Sequence, residues 1–104
     1  MSADRHRLSR GSYVSLDEDQ YLVVQHDALD RLPTVVALPA TPQPVAHRPP
    51  LVVVDSDNDL WIHTYAPATL WRDDLTFSGE TISAEIMVAV DAGIASVVDV
   101  AVIA

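Results

Sequence analysis

The sequence contains no cysteine, no lysine and only three glycines. Without cysteine the chain forms no disulfide, offers no thiolate nucleophile and binds no zinc through sulfur. The glycines, at positions 11, 79 and 93, lie far apart, so there is no glycine-rich phosphate loop and we expect no nucleotide cofactor. No apolar run approaches the roughly 20 residues of a membrane-spanning helix, and the first ten residues are polar. We therefore expect a soluble, cytoplasmic protein.

Positive charge is also scarce. The formal net charge is -9, and all six basic residues are arginines, of which three stand in the first ten positions. An acidic surface repels phosphate groups, because affinity for nucleic acid depends largely on Lys and Arg neutralising phosphates. The composition argues against a broad nucleic-acid surface and leaves only a small local basic site as an option.

The chain is rich in valine. It has 104 residues, of which 49% are hydrophobic. β-Branched residues favour strands, and this length suits one hydrophobic core. Residues 1–9 are polar and aperiodic, which predicts a flexible N-terminal arm, and residues 10–104 are predicted to form a single domain.

Short apolar runs alternate with polar turns along most of that domain. Strands are predicted at 13–16, 21–25, 34–39, 51–54 and 60–65, turns at 17–20, 55–59 and 78–80, and a further short strand within 71–77. Residues 41–50 carry four prolines and are predicted to form a loop. These runs predict two hairpins within a mostly β domain.

From Ser83 the apolar period changes to that of a helix, with Ser83 as N-cap. Its predicted buried face contains Ile86, Met87, Val90, Ile94, Val97 and Val98. Gly93 inside this helix suggests close packing of the helix onto the sheet. The last residues, 100–104, form a short apolar tail that could be a strand.

Few constellations suggest metal chemistry. Residues 55–59 alternate acidic and polar side chains as a calcium loop begins, but the required glycine and final glutamate are missing, which favours a solvated turn. The four histidines (His6, His26, His47 and His63) form no pair with metal-binding spacing, so we expect no metal site. His26 and His47 are interpreted as exposed loop residues and His63 as a residue on the polar face of a strand. The aromatic residues Tyr13, Tyr21, Trp61, Tyr65, Trp71 and Phe77 could stack on bases, although core packing is their commoner role.

The order of several motifs carries more information than any one of them. Arg10-Gly11 opens a strand, residues 21–27 run Tyr-Leu-Val-Val-Gln-His-Asp, and residues 34–41 run Thr-Val-Val-Ala-Leu-Pro-Ala-Thr. This order, together with Leu60 to Asp73 and the C-terminal helix, resembles the MazF/PemK toxins of the MazF/CcdB superfamily. The resemblance implies an α+β fold, mostly β: a small SH3-like barrel of antiparallel strands with a C-terminal helix.

The resemblance also implies a function. MazF-like toxins cleave single-stranded RNA by assisting the attack of a ribose 2′-hydroxyl on the adjacent phosphate, using a threonine and an arginine. Thr41 matches the threonine, but Gln20 stands where the arginine is expected. Arg10, Arg48 or Arg72 could then supply the cation, and His47 or His63 could act as general acid or base. The predicted catalytic residues are Thr41, Arg48 and His47, and the predicted substrate-binding residues are Arg10, Gln20, Trp61, Tyr65 and Arg72.

The implied protein is a homodimeric toxin of a type II toxin-antitoxin module, with a cognate antitoxin as partner. Two alternatives stay open. Residues 24–30 and Leu38-Pro39 also resemble CcdB, the gyrase-poisoning branch, although the C-terminus lacks the Trp-Gly-Ile contact of that branch. The other alternative is a degenerate toxin or non-catalytic module, in which a groove lined by Trp61, Tyr65 or Trp71 binds a partner peptide.

Overall fold

The computed structural model describes residues 8–29, 31–42 and 51–103, with side chains as far as Ser96. Its strands are β1 (Ser12–Leu16), β2 (Asp19–Val23), β3 (Thr34–Thr41), β4 (Val52–Asp55), β5 (Leu60–His63), β6 (Ala68–Trp71) and β7 (Thr76–Thr81). One long helix, α1 (Ala84–Ile103), follows, and two short 3-10 helices cover Asp27–Leu29 and Arg72–Asp74. No helix in these described ranges has the length and apolar character needed to cross a bilayer.

The strands form one antiparallel sheet in the order β4-β5-β3-β2-β1-β7, and β6 pairs separately with β3. Along one edge of β3, residues 34–37 pair with β6 while Ala40 and Thr41 pair with β5. The sheet therefore curls into a half-barrel carrying the C-terminal helix. The predicted mostly β fold with a C-terminal helix is confirmed, as are both predicted hairpins, β1–β2 and β4–β5.

Each face of the curled sheet has its own apolar cluster, as the alternation of side chains along strands allows. The first cluster includes Leu22, Leu38 and Ile62 and packs against Val90 of α1. The second lies on the other face and contains Val14, Val23, Val35, Ala37, Leu75 and Leu8. Leu8 is only 5% exposed. Leu8, which the sequence analysis assigned to the N-terminal arm, therefore packs into the core of the domain.

The helix begins as predicted. Ser83 Oγ accepts a hydrogen bond from the Ile86 N–H at 3.2 Å, which satisfies one of the free donors of the first turn. The predicted strand-like tail is wrong, because α1 continues to Ile103. No proline or glycine follows Gly93 to end the helix, and a short apolar run does not by itself distinguish helix from strand.

The predicted turn at 78–80 is also wrong, since these residues lie within β7. Between the pairs Ser12–Thr81 and Val14–Phe77, β7 has two more residues than β1, so the strand bulges there. Gly79 has φ of +91° within this bulge, a conformation that glycine adopts without strain. The glycine therefore marks a bulge in an edge strand rather than the end of one.

Asp55 departs from the solvated turn predicted for 55–59. Its carboxylate is fully buried and accepts hydrogen bonds from the Tyr13 hydroxyl at 2.7 Å, the Asn58 amide at 2.8 Å and the Asp57 N–H at 3.1 Å. Burial, and then the hydrogen bond to Asp55, raise the pKa of the Tyr13 phenol. The carboxylate thus joins the β4–β5 turn to β1 from inside the domain, because a buried charge is stable only when hydrogen-bonded.

Gly93 packs against Thr64, as the sequence predicts. A Cβ at position 93 would lie 2.7 Å from Thr64 Oγ1 and 2.9 Å from its Cγ2. Thr64 is held by a hydrogen bond from its hydroxyl to the Leu51 carbonyl, so its side chain has no easy way to move aside.

We expect Gly93→Ala to destabilise the domain by about 1–3 kcal/mol, the usual cost of overpacking, although alanine normally stabilises a helix interior relative to glycine. Urea unfolding measures the change. The matched control is Ala95→Gly on the exposed face of α1, where the ordinary propensity cost of about 1 kcal/mol should appear. The penalty for Gly93→Ala should shrink in a Thr64→Ala background, and an equal penalty in both backgrounds would contradict the contact.

Candidate functional site

A cavity of about 390 Å³ opens between the β1–β2 hairpin and the end of β3. Its wall consists of Glu18, Asp19, Gln20, Tyr21, Pro39, Ala40, Thr41 and Pro42. The hairpin contributes because Gln20 pairs directly with Ala40 in the β2–β3 ladder. Gln20 and Thr41, two of the predicted site residues, are therefore brought together at one cavity.

Thr41 belongs to a chain of hydrogen bonds that leads away from the cavity. Its Oγ1 lies 3.0 Å from Nε2 of His63, and Nδ1 of the same ring lies 3.3 Å from the Tyr65 hydroxyl. The His63 and Tyr65 rings meet edge to face, with centroids 5.7 Å apart. His63 is the last residue of β5 and lies two positions after Trp61, the cross-strand partner of Thr41, so alternation places it on the Thr41 face of the sheet; Tyr65 lies in the turn that follows.

His63 is not on a solvated polar face, as the sequence predicted, but is 5% exposed. It has a polar partner at each ring nitrogen, which makes such burial tolerable. Burial lowers the pKa of His63 from its usual 6.5, because desolvation disfavours the imidazolium. The ring therefore stays neutral at pH 7 and can accept a proton.

Trp61 is the cross-strand partner of Thr41. Directly paired residues place their side chains on the same face of a sheet, so the half-buried indole stands beside the threonine. Tyr65, at 46% exposure, extends the same row toward solvent. Both predicted aromatic contacts are thus on the Thr41 side of the sheet, and neither belongs to the cavity wall.

Two of the predicted arginines are elsewhere. Arg10 precedes β1, at the end of the strand opposite the hairpin, where its guanidinium contacts the Val24 carbonyl and forms an ion pair with Asp91 of α1. Arg72 is buried beside the start of β3, and its Nε donates to the Leu32 carbonyl at 2.9 Å. Seven residues of extended strand, roughly 23 Å, separate that end of β3 from Thr41. Neither arginine reaches the cavity, because each is used to hold another part of the fold.

The described part of the cavity wall has two carboxylates, on Glu18 and Asp19, and no arginine. The other predicted catalytic residues, His47 and Arg48, lie outside the described residues. Within those ranges no three His, Asp or Glu side chains are placed to hold a metal ion. The link from Thr41 through His63 to Tyr65 was not predicted from the sequence; the signal for it is the alternation of Trp61 and His63 along β5, with Tyr65 in the turn that follows.

Comparison with solved structures identifies the architecture. An endoribonuclease from a mycobacterial species superposes with a TM-score of 0.77 at 21% identity, over 88% of this chain and 90% of the other. A MazE-MazF crystal structure from Deinococcus radiodurans gives 0.74 at 18% identity, over 88% and 95% of the two chains. The chain has the MazF fold. An endoribonuclease bound to its cognate antitoxin, also mycobacterial, superposes with a TM-score of 0.70 at 21% identity, over 88% and 92% of the two chains.

Comparison by sequence alone gives less. No protein-family model matches the chain, and no curated protein matches it. The similarity to MazF structures is thus carried by the path of the backbone.

The depressed pKa of His63 predicts how stability depends on pH. Above pH 6.5 the ring is neutral in both the folded and the unfolded chain, so its titration does not change the free energy of unfolding. As the pH falls below 6.5, the unfolded chain takes up the proton first, and the free energy of unfolding decreases until the pH has passed the pKa of His63 in the folded chain. We expect His63→Gln to flatten this part of the curve of unfolding free energy against pH. His26→Gln, at an exposed histidine, is the control. Equal curves for wild type and His63→Gln between pH 5 and 7 (the window of an ordinary imidazole) would contradict the assignment.

Proposed function

We propose that the protein is a toxin-type endoribonuclease of a type II toxin-antitoxin module and that it cleaves single-stranded RNA at the cavity beside Thr41. The observation that carries this proposal is the position of Thr41, half-buried in the wall of a cavity on a MazF fold and hydrogen-bonded to a neutral imidazole. A hydroxyl held in this way can mediate proton transfer from a ribose 2′-hydroxyl.

The proposal needs a positive charge near the cavity. A pentacoordinate phosphorane is dianionic, and the carboxylates of Glu18 and Asp19 oppose its formation. Because Arg10 and Arg72 hold other parts of the fold, Arg48 is the remaining candidate of those the sequence suggested, and His47 beside it stays a predicted catalytic residue. Both follow Thr41 by a few residues along the chain.

The proposal extends to partners and place. A MazE-MazF complex and an endoribonuclease with its cognate antitoxin are among the structures that share this fold. We propose a cognate antitoxin as the partner of this chain, a homodimer as its assembly, and the cytoplasm as its location. This chain has a net charge of -9 and would repel an acidic antitoxin segment, so the binding of such a segment would have to depend mainly on apolar contacts.

A non-catalytic binding module is the second candidate. The acidic wall of the cavity favours it, since the described residues there offer carboxylates and a hydroxyl but no cation. In that case the cavity would bind a basic or neutral segment of a partner protein rather than a phosphodiester.

Thr41→Ala should reduce cleavage of single-stranded RNA by about 100-fold or more, the usual worth of a positioned proton-transfer group. Thr41→Ser retains the hydroxyl and should retain most of the activity. The measurement is cleavage of labelled RNA by the purified protein, with the cut ends sequenced after induced expression. Growth arrest with intact RNA would direct the search to gyrase or another target, and neither arrest nor cleavage would support the binding module.

Gln20→Arg should raise the cleavage rate by about tenfold or more, because it places a cation in the cavity wall next to Thr41. Thr76→Arg, on the exposed edge strand, makes the same change in net charge away from the cavity and is the matched control. An equal increase for both variants would show that only the overall charge matters. A decrease with Gln20→Arg alone would contradict the placement of the phosphate at this wall.

A further inference from the structure

Three side chains connect solvent with the cavity. Tyr65 is 46% exposed, His63 is 5% exposed, and Thr41 lines the cavity. The imidazole itself is not part of the cavity wall, so it acts on a substrate only through Thr41. Both of its nitrogens have a partner, at 3.0 Å and 3.3 Å.

We propose that His63 is a positioning residue that holds the Thr41 hydroxyl and receives its proton, with Tyr65 selecting the tautomer of the ring. The inference rests on the proposed RNA cleavage and names a residue for that reaction. His63 does not touch the substrate, and Thr41 does.

Two tautomers fit the heavy atoms, and they differ in what Thr41 can do. If Nδ1 carries the hydrogen and donates to Tyr65 Oη, then Nε2 accepts from the Thr41 hydroxyl, and a hydroxyl that donates its hydrogen can still accept one at its oxygen. If Nε2 carries the hydrogen, Thr41 becomes an acceptor from the ring and loses its route for passing on a proton. The phenol can donate further to solvent in the first case, which favours that tautomer because Tyr65 is exposed.

The surroundings of the ring keep it neutral until a proton arrives. Tyr65 is the titratable group in direct contact with it, and Glu18 and Asp19 line the same cavity as Thr41. On neighbouring β4, the cross-strand partner of His63 is Val52, and Asp55 lies at the other end of that strand, bonded to Tyr13. No carboxylate among the described residues hydrogen-bonds to His63, so desolvation dominates its pKa.

The proton steps balance as follows. The ribose 2′-oxygen forms a bond to phosphorus as its proton moves to Thr41 Oγ1, and the original Thr41 proton moves to Nε2 of His63. The bond from phosphorus to the 5′-oxygen breaks, and that oxygen takes a proton from water. The resulting hydroxide recovers the proton from His63 through Thr41, which leaves a cyclic phosphate, a 5′-hydroxyl and unchanged side chains.

The deciding experiment is chemical rescue. His63→Ala should lose about 100-fold in kcat and regain at least tenfold of it in added imidazole, which fits the space of the deleted ring. The acid limb of the wild-type pH profile should lie below 6.5 and should move up to the pKa of free imidazole in the rescued variant. Tyr65→Phe should lower kcat with little change in KM, and His26→Gln should leave the profile unchanged.

The outcomes separate this inference from the proposed function. If the wild type cleaves RNA and Thr41→Ala does not, the proposed function stands. The role of His63 is then overturned if His63→Ala keeps full activity. It is also overturned if His63→Ala loses activity that imidazole does not restore and the acid limb of the pH profile is unchanged in His63→Gln. If the wild type does not cleave RNA, the proposed function fails. Nitrogen-15 NMR of the wild-type ring gives a readout independent of activity and of the folding of any variant: hydrogen on Nδ1 supports the proposal, and hydrogen on Nε2 overturns it.

Discussion

Strand β3 has two different partners along one edge, and the rest of the domain depends on this division. Residues 34–37 pair with β6, Ala40 and Thr41 pair with β5, and the change of partner falls at Leu38-Pro39. Proline has no N–H for a ladder and is tolerated where pairing is interrupted. Because two strands leave the same edge in different directions, the sheet must curl. That curl gives the apolar residues of both faces something to pack against, including the helix on one side.

The same division determines where chemistry can occur. Thr41 lies beyond the break, beside β5, and so meets the row of alternate residues Trp61 and His63, while the β1–β2 hairpin closes over it from the other edge. The hairpin has only two residues in its turn, and Asp17 adopts a positive φ of 56° there. So short a connection leaves Glu18 and Asp19 at the cavity. Arg72 stays at the far end of β3, where it holds the preceding loop in place.

The sequence predicts those features that depend on local physics. Strand spacing, the Ser83 cap, and the close approach at Gly93 each follow from a few neighbouring residues, and the structure confirms them. Prediction from the sequence fails where the position of a residue depends on which distant segments of the chain come into contact. Gly79 suggests a turn in the sequence, but the pairing of β7 with β1 shows a bulge there. Arg10 is a candidate for catalysis in the sequence, but in the fold it forms an ion pair with Asp91 of α1. His63 looks solvated because the pattern of β5 does not reveal that Thr41 and Tyr65 flank its ring.

The cavity therefore combines two features with opposite effects on phosphate chemistry. In the proposed cleavage, the carboxylates of the hairpin would raise the energy of an anionic phosphorane, and the neutral imidazole behind Thr41 would lower the barrier to removing a proton. These effects act on different parts of the same transition state: one on charge at the phosphate, the other on the nucleophile. Such a site would have a base for the 2′-hydroxyl but too little positive charge to stabilise the phosphorane. The rate of cleavage would then depend on the cation that approaches the phosphate.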